Sequence, residues 1–172
     1  MLQQLPKTQA FTKLNPLYLQ GTHTRSPPPP SADWIHPYAA EVVNISYSDT
    51  MVTAPLHITP FARPEDTPFV YVSDLQALIS CARDLEASTL IAIDLEHHAQ
   101  RSFLGIVCLM QLSTPKCDYI IDTLDLHDSM HVLLPAFTNP GIVKVLHGAD
   151  HDVKWLQRDF GLFIVNMFDT FR

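Results

Sequence analysis

Cysteine is sparse in this chain and follows no pattern. Three residues, Cys81, Cys108 and Cys117, occur among 172. Their number is odd and their spacing matches no zinc motif, so they are read as reduced thiols of an intracellular protein. The first thirty residues lack the apolar core of a secretory signal. The longest apolar run, Leu104 to Met110, is far too short to cross a bilayer. A soluble protein with no membrane contact is expected. Basic residues are also scarce: 11 Lys and Arg stand against 18 Asp and Glu, a net charge of −7. That balance excludes simple binding through a patch of phosphate contacts, where clustered Lys and Arg dominate affinity. A nucleic-acid enzyme can still be acidic if its carboxylates hold metal ions and those ions meet the phosphates. Affinity for a long strand would then come from other domains or partners.

What is present is unevenly distributed. Hydrophobic residues make up 47% and charged residues 17%, a globular composition. Yet 11 of the 14 prolines lie within residues 1–68. Residues 1–33 read as a Pro-rich disordered linker, with Pro27–Pro30 a short polyproline II spacer. Residues 34–68 carry enough apolar side chains, among them Trp34, Tyr38, Val42, Val43 and Ile45, to wrap a domain but not to build one. Folding is expected to begin at Phe69, and the segment 69–172 is acidic, near −6 (seven basic and thirteen acidic residues).

Within that segment Phe69–Val72 reads as a short strand. Ser73 is then placed as a helix cap with Gln76 as its capping-box partner, ahead of Leu75, Leu78, Ile79, Ala82 and Leu85 at helical spacing. Strands are predicted over Thr89–Leu95, Ile106–Ser113 and Asp118–Ile121, with short connections that favour antiparallel neighbours. Residues 128–137 read as a helix ending before Asn139-Pro140, and Ile142–Leu146 as a strand. Ala149, Val153, Leu156 and Phe160 mark one face of a helix stopped by Gly161. Leu162–Val165 reads as a last strand, and Asp169-Thr170 as the start of a further helix. Strands first, then alternating helix and strand, predict an α/β fold with a mixed sheet and helices packed on it.

Two clusters carry chemistry. Asp94-x-Glu96 ends the apolar run Leu90–Ile93, and residues two apart on a strand face the same way. Two adjacent anions at a core edge repel unless a cation joins them. Hard divalent ions, Mg²⁺ or Mn²⁺, prefer such oxygen ligands. The plainer reading is a strand end turning into solvent. The second cluster, His147-Gly148-Ala149-Asp150-His151-Asp152, joins a buried strand to a helix. Asp150 sits where a cap or first-turn acid is favoured. Asp152 lies further in, with Trp155 and Leu156 on the same side. The residues alone leave both aspartates open, with Asp150 preferred for structure and Asp152 for chemistry.

The stretch IAIDLEHHAQRSFLGIVCLMQLS, then DYIIDTLDL, then VKVLHGADHDVKWLQRDFGLFIVNMFDT resembles the RNase D-like branch of the DEDD exonucleases. The likeness is strongest to the catalytic subunit that accompanies the nuclear RNA exosome, and it runs from about Phe69 to Arg172. Upstream, His36-Pro37-Tyr38 resembles the start of the segment that precedes the nuclease domain in that family. The resemblance implies a ribonuclease H-like, DnaQ-type fold and hydrolysis of RNA from its 3′ end with release of nucleoside monophosphates. It implies two divalent metal ions, Mg²⁺ or Mn²⁺, held by Asp94, Glu96 and Asp152, which settles the choice between the two aspartates. It further implies single-stranded RNA 3′ ends as substrate, the exosome core and its cofactors as partners, and a nuclear location in nucleolus and nucleoplasm, in RNA processing (including rRNA) and decay.

The family also uses a Tyr-x-x-x-Asp motif on a late helix, and none of the five tyrosines (18, 38, 47, 71, 119) has Asp four residues on. The family's N-terminal cofactor-binding and C-terminal helicase-and-RNase-D domains are not found either. A fragment of an active exonuclease is therefore expected, with weakened metal binding, little or no hydrolysis, and one sheet face left partly uncovered. The competing readings are a non-catalytic RNA- or exosome-binding module and a DNA-directed 3′–5′ exonuclease. Trp155 is assigned to stack on the terminal nucleotide, against a core role. His97 is assigned to the nucleotide pocket, with His98 pointing away and neither a metal ligand. Arg101 could meet a phosphate. Gln111 is expected to satisfy backbone or site groups, and Asp122, Asp125 and Asp169 to serve turns and caps.

Overall fold

The computed structural model describes residues 36–47, 63, 66–100 and 103–171. The polyproline segment Pro27–Pro30, most of the proposed wrapping segment and Arg101 lie outside the described residues. Contacts divide the chain into units 1–39 and 40–172. A one-turn helix, α1 (Ala39–Val43), is followed by β1 (Phe69–Val72), α2 (Leu75–Glu86), β2 (Leu90–His98), β3 (Ile106–Ser113) and β4 (Asp118–Asp122). Then come a 3₁₀ helix (His127–Leu133), α3 (Leu134–Thr138), β5 (Val143–Leu146), α4 (Asp152–Phe160) and β6 (Met167–Asp169).

Six strands form one mixed sheet in the order β1-β4-β3-β2-β5-β6. The short β2–β3 and β3–β4 connections produce antiparallel pairs, as expected. The longer connections, each of which includes a helix, produce the parallel pairs β1–β4, β2–β5 and β5–β6. Alternation sets the faces. Ile91, Ile93 and Leu95 are buried, and through the register they align with Leu112 and Met110 of β3 and then Tyr119 and Ile121 of β4. The helices cover this side with Leu78, Leu85, Met130, Leu133, Phe137 and Leu156, all fully buried. On the other side Phe69, Tyr71, Leu90 and Phe168 are exposed.

Several boundaries differ from the sequence reading, each for a physical reason. The cap of α2 is Asp74, whose carboxylate accepts from the Ala77 N–H at 2.9 Å; the capping box on Ser73 and Gln76 is not formed. The segment read as one helix over 128–137 is a 3₁₀ helix followed by α3, with Pro135 in the first turn of α3. A proline there supplies no amide N–H but fits a helix start, so a new helix begins at it. Strand β2 runs on through Glu96 to His98 past a register shift between Glu96 and His97. Leu162–Val165 is not a strand, although Leu162, Phe163 and Val165 are buried. Its continuous apolarity matches a buried connection equally well. Pairing with β5 starts only after Asn166, which turns the chain at φ 62. Asp169 consequently ends β6 rather than opening a helix.

Gly161 stops α4 as expected, at φ 64, with its own N–H on Gln157 O and that of Leu162 on Leu156 O. One interior feature was not foreseen. Lys144 is fully buried, and its ammonium donates to the carbonyls of Ala136, Asn139 and Ile142 at 3.4, 2.8 and 2.7 Å. Burial pushes its pKa down to about 8, while the three carbonyls supply the partners a buried charge requires. Phe137 anchors the same region: its ring is fully buried and its carbonyl accepts from Val165 N–H. Phe137→Ala should lower the unfolding free energy by about 3–5 kcal/mol, measured by urea titration at unchanged slope.

Candidate active site

The site begins with the pleat of β2. Asp94 and Glu96 occupy alternate positions opposite to Ile93 and Leu95, so both carboxylates emerge exposed from the open sheet face. The neighbouring strand supports one of them. Gln111 lies across from Asp94 in the register, and its Nε2 donates to Glu96 Oε1 at 3.3 Å. The expectation that the Gln111 amide satisfies a site group is met by this contact.

Asp152 is the first residue of α4, where the dipole and free N–H groups favour an acid. The N-cap position falls to His151, which makes no side-chain capping bond, and Asp150 lies in the exposed turn before it. Asp150 is thus not the N-cap that its sequence position suggested. The turn is instead held from outside the helix. Asp169 of β6 accepts from the N–H groups of Gly148 and Ala149 at 2.8 and 3.0 Å and from that of Phe171 at 2.9 Å. Asp169 was expected to serve a turn or cap; it does so locally through Phe171 N–H, and it also caps a turn twenty residues away. Asp122 is a local turn residue as expected, accepting from Leu124 and Asp125 N–H.

The two motifs feel one another. The Asp152 carboxyl is raised above the ordinary carboxylate range, first by burial and then by the negative charge of Asp94, with Asp169 adding to it and His151 partly offsetting it. A half-buried acid facing another acid favours protonation or a cation. The donor chemistry, carboxylate oxygens with an amide behind one of them, fits a hard divalent ion. Among the described residues, however, no group of three or more His, Cys, Asp or Glu side chains is placed to hold a metal ion. The acidic groups stand as an interacting pair with Glu96 beside it.

His97 and Trp155 also come together. Their rings are parallel, 2° apart in plane with centroids 4.0 Å apart, and His151 lies 5.5 Å from Trp155 at 28°. His97 Nε2 is buried without a hydrogen-bond partner. A Cβ placed on Gly105 would come within 2.0 Å of His97 Cε1 and 2.3 Å of Nε2, so that ring lies directly against the Gly105 backbone. His98, the last residue of β2, pairs with Ile106. Sequence reasoning missed the Arg158–Asp159 pair on α4, whose partners are backbone groups of the β2–β3 connection and of β3. No motif marks it, because carbonyl partners some fifty residues away leave no local signature.

A family model described as 3′–5′ exonuclease matches residues 69–172. The human protein named Exosome complex component 10 is 48% identical over 136 residues, which are 78% of this chain and 15% of that protein. Exosome complex exonuclease RRP6 of Saccharomyces cerevisiae is 46% identical over 136 residues, 79% of this chain and 18% of that one. The crystal structure of the catalytic core of RRP6 from Trypanosoma brucei superposes with a TM-score of 0.74 at 41% identity, covering 79% of this chain and 38% of that chain. The chain therefore spans less than a fifth of the length of these two curated relatives. With a matched region that holds β1 through β6 and both acidic motifs, this chain belongs to the 3′–5′ exonuclease family.

Proposed function

We propose that this chain supplies Asp94, Glu96 and Asp152 to a metal-dependent exoribonuclease that shortens RNA from its 3′ end. The observation that carries the reading is the placement of Asp94 and Glu96 on the exposed face of β2 and of Asp152 at the first position of α4, where burial and then the Asp94 charge raise its carboxyl. The parallel pairing of β2 with β5 sets the strand that precedes α4 beside the strand that carries Asp94 and Glu96. The three carboxylates would hold two divalent ions, Mg²⁺ or Mn²⁺, which when bound supply the charge that activates water and stabilises a departing 3′ oxygen. Gln111 steadies the Glu96 carboxylate. The His97–Trp155 ring pair borders the acids and serves the terminal nucleotide. The chain's net charge of −7 leaves long-strand affinity to other parts of the assembly. By the names of its relatives, that assembly is the RNA exosome, with its cofactors, acting in nuclear RNA processing and decay.

The 172 residues contain no Tyr-x-x-x-Asp, so this chain by itself binds metal weakly and hydrolyses little. The test is Mn²⁺ binding to the 172-residue chain, run beside digestion of 5′-labelled single-stranded RNA and DNA of equal length. Measurable Mn²⁺ binding that disappears in Asp94→Asn, with at most slow 3′ trimming confined to RNA, is the expected result. Binding indifferent to Asp94 would refute the metal assignment. Equal trimming of DNA would favour a DNA-directed enzyme, and ordinary rates on RNA would overturn the reading that the three acids are insufficient alone.

A further inference from the structure

Helix α4 is fastened at two levels, one turn apart, to the end of β2 and to the β2–β3 connection. At the first, Trp155 stacks on His97, the residue after Glu96. At the second, Arg158 donates through Nη1 to Leu104 O at 2.6 Å and through Nη2 to Gly105 O at 3.2 Å. The same guanidinium grips the Asp159 carboxylate through Nε and Nη2. Asp159 Oδ2 in turn accepts from the N–H of Val107 in β3 at 3.3 Å. The circuit closes on itself, because Gly105, held by Arg158, is the residue that abuts the His97 ring. The side chains of Arg158 and Asp159 are 31% and 11% exposed, so this is a largely sheltered pair with its charges matched.

The circuit has a consequence for the acids. Asp152 is one turn before Trp155 on the same helix, and Glu96 directly precedes His97 on the same strand. The acids lie at one end of the contact, and the Arg158 clamp at the other. We infer that Arg158 and Asp159 are positioning residues, which hold α4 against the β2–β3 connection and so determine how closely Asp152 approaches Asp94 and Glu96. This rests on the metal-site reading proposed above. Like-charged groups push the two elements apart, and the planar, five-donor guanidinium resists that separation by donating to two carbonyls of the connection while holding the Asp159 carboxylate that accepts from Val107 N–H. A lysine, with a single point of charge, cannot span all three.

The test uses the full 172-residue chain carrying Trp34→Phe, so that Trp155 is the only indole. Arg158→Ala, Arg158→Lys and Asp159→Asn are compared with Arg83→Ala, a surface control on α2. Mn²⁺ affinity, Trp155 emission and thermal midpoint are measured for each. Arg158→Ala should weaken Mn²⁺ binding by 10–100-fold, the range for outer-shell partners, and shift Trp155 emission to the red. Arg158→Lys should recover part of both, with the control unchanged. Asp159→Asn keeps the shape, so it decides the matter if Arg158→Ala fails to fold; a folded Asp159→Asn should also weaken Mn²⁺ binding. Wild-type Mn²⁺ affinity in folded Arg158→Ala or Asp159→Asn overturns the inference, even if the emission moves, because the pair would then be structural only. Asp152→Asn in the same titration separates the two claims. If it loses Mn²⁺ and the Arg158 and Asp159 variants do not, only the positioning role fails. If it binds as the wild type does, or the wild type does not bind at all, the metal reading fails and the inference with it.

Discussion

Asp152→Asn should stabilise the metal-free protein at neutral pH and at the same time remove its response to divalent ions. In the folded chain burial and the Asp94 charge raise the Asp152 carboxyl. A carboxyl whose folded pKa exceeds its unfolded value binds more protons when folded. Its contribution to stability is complete below the unfolded value, and it is lost as pH rises through the raised folded value. Without metal, the wild type should therefore lose stability with rising pH across that window, and Asp152→Asn should lose less. Added Mn²⁺ should reverse the wild-type penalty and leave the variant unmoved, with affinity weakened on the order of 100-fold or more, beyond the 10–100-fold typical of outer-shell partners. Thermal midpoints measured across the acidic to neutral range, with EDTA and with Mn²⁺, read both effects. A variant less stable than the wild type in EDTA would show that Asp152 is held by favourable contacts, not burdened by Asp94.

Gly105→Ala should be the most damaging single methyl in the site. Gly105 has φ +68, a left-handed conformation that costs an L-residue roughly 1–2 kcal/mol. The new Cβ would also lie 2.0 Å from His97 Cε1, and the ring it meets is already stacked on Trp155. Forcing a side chain out of a packed arrangement adds about 1–3 kcal/mol. Denaturant unfolding should record a total of about 2–5 kcal/mol, together with altered Trp155 fluorescence as the stack opens. A loss under about 0.5 kcal/mol, small against the 1–2 kcal/mol for the backbone alone, would mean that the connection and the ring adjust freely. In that case the ring pair could not serve as a rigid neighbour of the acids.

These two positions differ in how readable they were beforehand. Asp94 and Glu96 were legible because strand periodicity is a local property: apolar residues at 91, 93 and 95 place the acids on the opposite face wherever the strand lies. The helix of Asp152 was legible for a similar reason, from the spacing of Val153, Leu156 and Phe160 and the Gly161 stop. The contact of Gly105 with His97 was not. It depends on where the β2–β3 connection lands relative to α4, which pairing register and helix packing decide together. The ladder between residues 94 and 111 could be anticipated only as a short antiparallel connection; its register placed the Gln111 amide on Glu96.

The misplacements share one origin. Ser73 and Asp74 are both competent caps, and only the entry angle of the chain selects the second. Leu162–Val165 has strand composition, yet the hydrogen-bonding edge of β5 is met by Met167–Asp169 after the turn at Asn166. Asp169 keeps a local bond to Phe171 N–H, and the same carboxylate also takes the N–H groups of Gly148 and Ala149 across the sheet edge. In each case local chemistry admits several uses of a residue, and a distant segment chooses among them.

Taken alone, the order of residues determined the alternation of faces, the two acidic motifs and the mixed α/β character, since each is a short-range repeat that backbone geometry translates directly. The fold decided which rings stack, and that Arg158 would bind Leu104 and Gly105. Those outcomes depend on contacts between residues some fifty positions apart, whose geometry exists only once the sheet and α4 have packed.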